Sequence, residues 1–343
     1  MAYLVKGAPF RYRGAVNVEY CKTSAEVMEK AGLDWSVAKC KVLAEMPAST
    51  NVNKDGFVYG GEFFKEVPNA YANYRTDHNI PLGIVKERYT PVQNIEAFKF
   101  FDDAIGKNQA IWQTAGFFGN GERIFVSAKL PKNILVHGDP TESYLVFTNS
   151  HDGSSGVKVL FTNIRVVCQN TLNSAIRNSS NFVSFRHTNS VHKNLDRASQ
   201  ILGICRDMTN DFNEVLNEMY KITMKDEDAQ EVFAKTILNA NELEQISLTG
   251  HTIGQIVQRD WRAIQDAEIS MKKVNVLSEM NNYYFSGVGQ REIVGTGYGV
   301  YNAVSGYYSN VDNIEGIKRM DSLLYGDKGN KIKAAGDLIL NYK

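Results

Sequence analysis

Residues 149–178 read NSHDGSSGVKVLFTNIRVVCQNTLNSAIRN, from Asn149 to Asn178. The stretch predicts a strand, a tight His151-Asp152-Gly153 turn, a second strand and a short helix carried by Leu172, Ala175 and Ile176. Asp in such a turn bonds its own backbone, and Gly supplies a positive φ. The flanks, Tyr144–Asn149 and Val157–Cys168, then form an antiparallel hairpin. Immediately upstream, residues 111–130 predict another hairpin, turning at Gly119-Asn-Gly121 with Arg123–Leu130 as the return strand. A chain that places hairpins in series builds an antiparallel sheet.

Working outward toward the N-terminus, Phe63–Thr76 alternates as a strand, and Pro68 puts it near an edge or a bulge. Asn94 is placed to cap a helix whose Ile95, Phe98, Phe101, Ala104 and Ile105 share one face. Trp35–Leu43 predicts a strand. Thr23-Ser-Ala-Glu26 fits a capping box and Gly32 a stop, giving a helix over 24–31. Residues 1–20 predict irregular structure.

After about residue 190 the period changes. Leu195, Ala198, Ile201, Leu202, Cys205, Met208, Phe212, Val215, Leu216 and Met219 recur at helical spacing. Helices are also predicted at 226–240 and 253–280, with Leu243–Gly250 as a connector. A Gly-rich bend precedes a helical face of Val300, Val304, Tyr307 and Tyr308, and 331–341 predicts a last helix. The fold class is α+β: a β-rich mixed N-terminal half with antiparallel hairpins and a helical C-terminal half. The expected units are an N-terminal extension (1–60), a β-rich core domain (61–190) and a helical region (191–343) packed on that core.

The 38 basic and 38 acidic residues cancel, so charge has to be read by position. Between Gly153 and Leu195 there is no Asp or Glu, while Lys158, Arg165, Arg177, Arg186 and Lys193 are present. His187, His192 and seven asparagines share the window. Side chains of these types bind phosphates and base edges. Phe161, Phe182 and Phe185 offer stacking surfaces if exposed, although Phe161 alternates with Val157 and Val159 as a core residue does. The next segment is the opposite. Arg206 to Gln245 holds ten acidic and four basic residues, a net of 4 − 10 = −6. That is either a solvated helix face or a surface meeting the basic face of another copy in a head-to-tail homo-oligomer.

Several chemistries find little footing. Cys21, Cys40, Cys168 and Cys205 form no C-x-x-C pair. The P-loop pattern G-x-x-x-x-G-K-[ST] is absent. Gly287, Gly289, Gly295, Gly297 and Gly299 do not fit G-x-G-x-x-G and mark bends. No catalytic residue and no cofactor are predicted. His151 and Asp152 are the weaker alternative, as ligands of a divalent metal. No run of about 18 apolar residues suggests a membrane span, and the N-terminus has no signal-peptide core. The expected location is the cytoplasm.

The segments PLGIVKERYTPVQNIEAFKF (81–100), SYLVFTNSHDGS (143–154), RVVCQNTL (165–172), RHT (186–188) and GTGYGVYNAVSGYY (295–308) resemble the phage/plasmid-like family called domain of unknown function 932. The resemblance spans about residues 60 to 330. It departs where the family carries Thr-Glu-Tyr and this chain has Ser305-Gly306-Tyr307. The resemblance implies a mobile-element protein of a bacterial host cell, without supplying a catalytic residue. The resulting expectation is a nucleic-acid-binding protein, for single-stranded DNA binding or annealing in replication or recombination. Arg165, Arg177, Arg186 and Lys193 would neutralise phosphates, with Asn170, Asn173 and His187 as polar contacts. The alternatives are a metal-dependent enzyme acting on nucleic acid or nucleotides, and a structural or virion-associated protein.

Overall fold

The structure is a computed structural model and describes residues 15–46, 50–52, 58–60, 64–96, 98, 101–102, 110–131, 133–165, 171–172, 182–188, 199–312 and 316–342. In chain order the strands are β1 (Ala15–Asn17), β2 (Val37–Glu45), β3 (Thr50–Val52), β4 (Val58–Gly60), β5 (Phe64–Arg75), β6 (Ile80–Val85), β7 (Ile111–Phe118), β8 (Arg123–Lys129), β9 (Ile134–Val136), β10 (Asp139–Ser150), β11 (Val157–Arg165), β12 (Thr171–Leu172) and β13 (Phe182–Phe185). The helices are α1 (Ser24–Ala31), α2 (Ser199–Lys221), α3 (Asp226–Ile237), α4 (Ala240–Leu248), α5 (Ile253–Val257), α6 (Trp261–Asp266), α7 (Met271–Ser286), α8 (Gly297–Gly306), α9 (Gly316–Tyr325) and α10 (Asp327–Leu340). Residues 94–96, 98 and 101–102 are helical as well. The α+β class holds, with antiparallel sheets first and helices after.

The main sheet runs β1-β7-β8-β10-β11. Short strands β12 and β13 both add to the outer side of β11, and β9 pairs with the start of β10. Both predicted hairpins form. Phe118 pairs with Arg123 across a turn in which Gly119 and Gly121 have positive φ. Thr148 pairs with Lys158 around the turn at 151–156. A smaller sheet, β2-β5-β6, stands beside the main one. The expected boundary near residue 60 therefore runs between pairing strands, since β2 bonds β5 and β1 joins the main sheet.

One face of the main sheet carries Ile124, Val126, Leu145, Phe147, Val159 and Phe161, all fully buried. Along a strand alternate side chains share a face, so these positions form one apolar surface. Helix α1, Phe98 and Phe101 pack into it, and the same core continues through Phe212, Phe233, Tyr284 and Tyr301 of the helical half. Helix α1 starts where predicted: the Thr23 side chain accepts from the Glu26 N–H, and Gly32 ends it in the left-handed conformation.

The structure corrects the sequence reading at several points. Leu243–Gly250 is not a connector: α4 fills Ala240–Leu248, opened by a reciprocal Asn239–Glu242 capping box. The predicted 253–280 helix is three helices, because Arg259 and Glu268 take positive φ between them. Asp260 caps the second piece by accepting from the Arg262 and Ala263 N–H groups. Leu172 lies in β12 rather than a helix; Ala175 and Ile176 fall outside the described residues. Helix α9 was not anticipated, and Val16 sits in a strand within the stretch expected to be irregular. Among the described residues no helix is long and apolar enough to cross a membrane.

The Gly-rich bend closes tightly on α8. A methyl group on Gly299 would fall 2.1 Å from the Ile293 carbonyl oxygen. Gly299→Ala should therefore cost about 1–3 kcal/mol through overpacking, read as a lowered urea midpoint. An unchanged midpoint would mean that the bend is loose.

Candidate functional site

Three of the segments singled out in the sequence converge on the turn after β10. His151 is fully buried, and its ring meets the edge of Trp35 with centroids 5.3 Å apart. Asn94 does not act as a helix cap. Its amide nitrogen donates to the carbonyls of Leu33 (2.9 Å) and Trp35 (3.3 Å). That leaves its oxygen as the acceptor, 3.0 Å from His151 Nε2. The bond fixes the neutral imidazole with its proton on Nε2. Burial, reinforced by nearby His187, depresses the His151 pKa to about 3.

The backbone of the turn is held from both sides. The His151 N–H donates to Glu122 O (2.7 Å), and its carbonyl accepts from Asn73 Nδ2 (2.7 Å). Tyr89 donates its hydroxyl to Ser150 O (2.6 Å), and Asn149 Nδ2 donates to Val92 O (2.9 Å). A methyl group on Gly83 would lie 2.6 Å from the Asp152 Cα, so β6 touches the turn backbone to backbone. Gly153 has φ +77°, as its turn role requires.

Asp152 faces the other way. Its carboxylate accepts from the Ser154 N–H (2.9 Å), the Ser154 hydroxyl (2.6 Å) and the Ser150 hydroxyl. Burial pushes this carboxyl up, but those hydrogen bonds outweigh it and the pKa falls below the ordinary value. His151 and Asp152 are thus engaged separately, one in the core and one in its own turn. Among the described residues no group of three or more His, Cys, Asp or Glu side chains is placed to hold a metal ion.

His187 belongs to the same assembly. It is buried, stacks on Tyr89 at 4.4 Å, and places Nδ1 3.2 Å from Thr90 O. Burial lowers its pKa, partly offset by that carbonyl. As a nucleic-acid contact it is misplaced, because the ring faces Tyr89 and the 90s segment. Arg186, next to it, is exposed. Arg165 ends β11, and its side chain lies outside the described residues. Asn170, Asn173, Arg177 and Lys193 also lie outside them. Phe161 is core, and Phe185 is partly buried against the core.

Sequence reasoning missed Asn73, Tyr89, Asn94 as a bridge, and Arg123. The available signal was a cluster of Asn and His at alternating positions of strands otherwise apolar. On the far side of the turn, Arg123 donates from Nη2 to Ser154 Oγ (2.9 Å) and from Nη1 to Asp321 of α9. The C-terminal motif lies in the core. Ser305 and Gly306 are buried in α8, and a methyl group on Gly306 would sit 2.1 Å from the Tyr283 ring. The Glu that the family carries there has no room against this Tyr283.

The family model described as Domain of unknown function (DUF932) matches residues 81–324. The match covers most of the chain, and the chain belongs to that family. Comparisons with curated proteins and with solved structures returned no match.

The buried histidine makes stability depend on pH. In the unfolded chain His151 binds a proton below about pH 6.5; folded, it resists protonation down to about 3. The unfolded state therefore holds the extra proton in that window, and stability is lost as pH falls through it. His187 adds in the same direction. Urea unfolding of His151→Gln between pH 6.5 and 5 should show a slope shallower than wild type, by up to about 1.4 kcal/mol per pH unit. Identical slopes would place the His151 ring in water.

Proposed function

We propose that this chain binds nucleic acid, with single-stranded DNA as the leading substrate, in a binding or annealing role during replication or recombination of a mobile element in a bacterial cytoplasm. The observation that carries the reading is the charge distribution on the outer edge of the main sheet. The acid-free window 153–195 begins at the hairpin turn, forms β11 and returns as β13. Lys158 pairs with Ser184 across those strands, and exposed Arg186 follows β13. A polyanion gains from a stretch whose cations outnumber its carboxylates. In this reading Arg165, Arg177, Arg186 and Lys193 take phosphates, and Asn170 and Asn173 take sugar or base edges. His187 drops out because it is buried.

The acidic counterpart supports a self-association reading. Asp211, Glu214 and Glu218 of α2 and Asp226, Glu227 and Glu231 of α3 are exposed. In a head-to-tail homo-oligomer this surface would face the basic window of the next copy.

A fluorescence-anisotropy titration with a single-stranded oligonucleotide at increasing salt tests the proposal. The logarithm of the affinity should fall linearly with the logarithm of salt, by about 0.7 per phosphate contacted. The double variant Arg165→Ala, Arg186→Ala should flatten that slope by about 1.4. Absence of binding at low salt, or a slope unchanged in the double variant, rules the proposal out.

A further inference from the structure

The second face of the main sheet differs from the first. Register places Arg123 opposite Ser150, Thr148 opposite Lys158, and Lys158 opposite Ser184. Alternation puts these side chains on one face. Beside them lies a small apolar patch of Phe118, Phe125, Val146 and Leu160, covered by Met320 and Leu324 of α9. The same helix sets Asp321 against Arg123, whose guanidinium is buried while the Asp321 side chain is about a third exposed. Lys158 responds to the same carboxylate: burial lowers its pKa, and Asp321 and Arg123 pull it in opposite directions. Two sheet cations thus converge on one helix carboxylate.

That carboxylate does not use up the donors around it. Arg123 gives Nη1 to Asp321 and Nη2 to Ser154, but its buried Nε–H has no hydrogen-bond partner. A guanidinium presents its donors as a fork matched to carboxylate and phosphate alike. A backbone phosphodiester presents two anionic oxygens in tetrahedral array, one to meet the Arg123 edge and one the Lys158 ammonium. Asp152, which also feels Arg123, is committed to Ser150 and Ser154. The cationic face then continues through Ser184 to exposed Arg186.

We propose that Asp321 occupies a phosphate site: Arg123, Lys158 and Ser154 take a backbone phosphate of the nucleic acid, and α9 covers that site in the free chain with Asp321 as the internal stand-in. This rests on the nucleic-acid reading above and adds a regulated contact to it. Binding then requires Asp321 to leave Arg123, so α9 acts as a competing cover. The patch holding it is small, with two α9 side chains on four of the sheet, whereas Leu323 stays with the main core.

The test compares wild type with Asp321→Asn, which keeps the side-chain volume and removes the charge. At moderate salt Asp321→Asn should bind a single-stranded oligonucleotide about tenfold more tightly, the scale of one charge-assisted contact. Its salt slope should match that of wild type, because both proteins contact the same phosphate once Asp321 has left. In wild type, adding the oligonucleotide should speed hydrogen exchange at the amides of Gly316–Tyr325; this readout decides the matter if the variant does not fold. If wild type binds but the substitution leaves affinity unchanged and α9 exchange stays the same, the cover is refuted and the nucleic-acid reading stands. If neither protein binds even at low salt, both fall. Binding gained by the variant alone supports the cover.

Discussion

A polar turn driven into an apolar core has to find partners for the groups it brings, and this constraint organises the N-terminal half of the molecule. The hydrogen bond between His151 and Asn94 is its centre. An uncompensated buried polar group costs roughly 1–3 kcal/mol, so most groups around the turn recruit another, although His151 Nδ1, Asn149 Oδ1 and Asn73 Oδ1 are buried without a hydrogen-bond partner. Asn94 spends its amide on Leu33 and Trp35, which fixes the connection after α1. Asn73 reaches over from β5, Tyr89 and Val92 from the segment after β6, and Glu122 from the neighbouring hairpin. Gly83 brings β6 against the turn because it has no side chain. Two sheets that share no strand are thereby joined at this loop, as they are where Arg75 of β5 donates to Asn120 O of the neighbouring hairpin.

The same turn also links the two faces of the main sheet. Its histidine points to the apolar side, while Asp152 and Ser154 lie toward Arg123 and α9. The first face is the scaffold and continues without a break into the helical half. The second face gathers Arg123 and Lys158 beside a small apolar patch, and there the proposed chemistry of phosphate recognition has its cations. The family motifs thus divide: the segments at 81–100 and 143–154 build the latch, and the one at 295–308 builds the core of the helices.

Local signals were legible and long-range ones were not. Gly119-Asn-Gly121, His151-Asp152-Gly153 and the Thr23–Gly32 pair specify turns and caps through nearest neighbours, and each appears where the sequence placed it. Asn94 had the composition of a cap, but its partner is 57 residues away and left no local trace. His187 looked like a surface residue because it sits between Arg186 and Thr188, yet its environment is set by Tyr89, far upstream in the chain. The break of the 253–280 helix escaped notice because Arg259 and Glu268 are not residues that usually take positive φ. Of the predicted contact residues, the structure describes the surroundings of Arg186 and His187 and separates them, one outward and one inward. Arg123 and Asp321 carried no motif and became visible only when strand and helix met.

The central claim is that the turn is a buried, interdependent latch, and a double-mutant cycle on Asn94 and His151 tests it most directly. Asn94→Ala, His151→Ala and the double variant would be unfolded in urea at neutral pH. The latch predicts a coupling energy of at least about 1 kcal/mol, since residues sharing one hydrogen-bond network are not additive. Losses that add to within about 0.3 kcal/mol, the behaviour of independent sites, would contradict it.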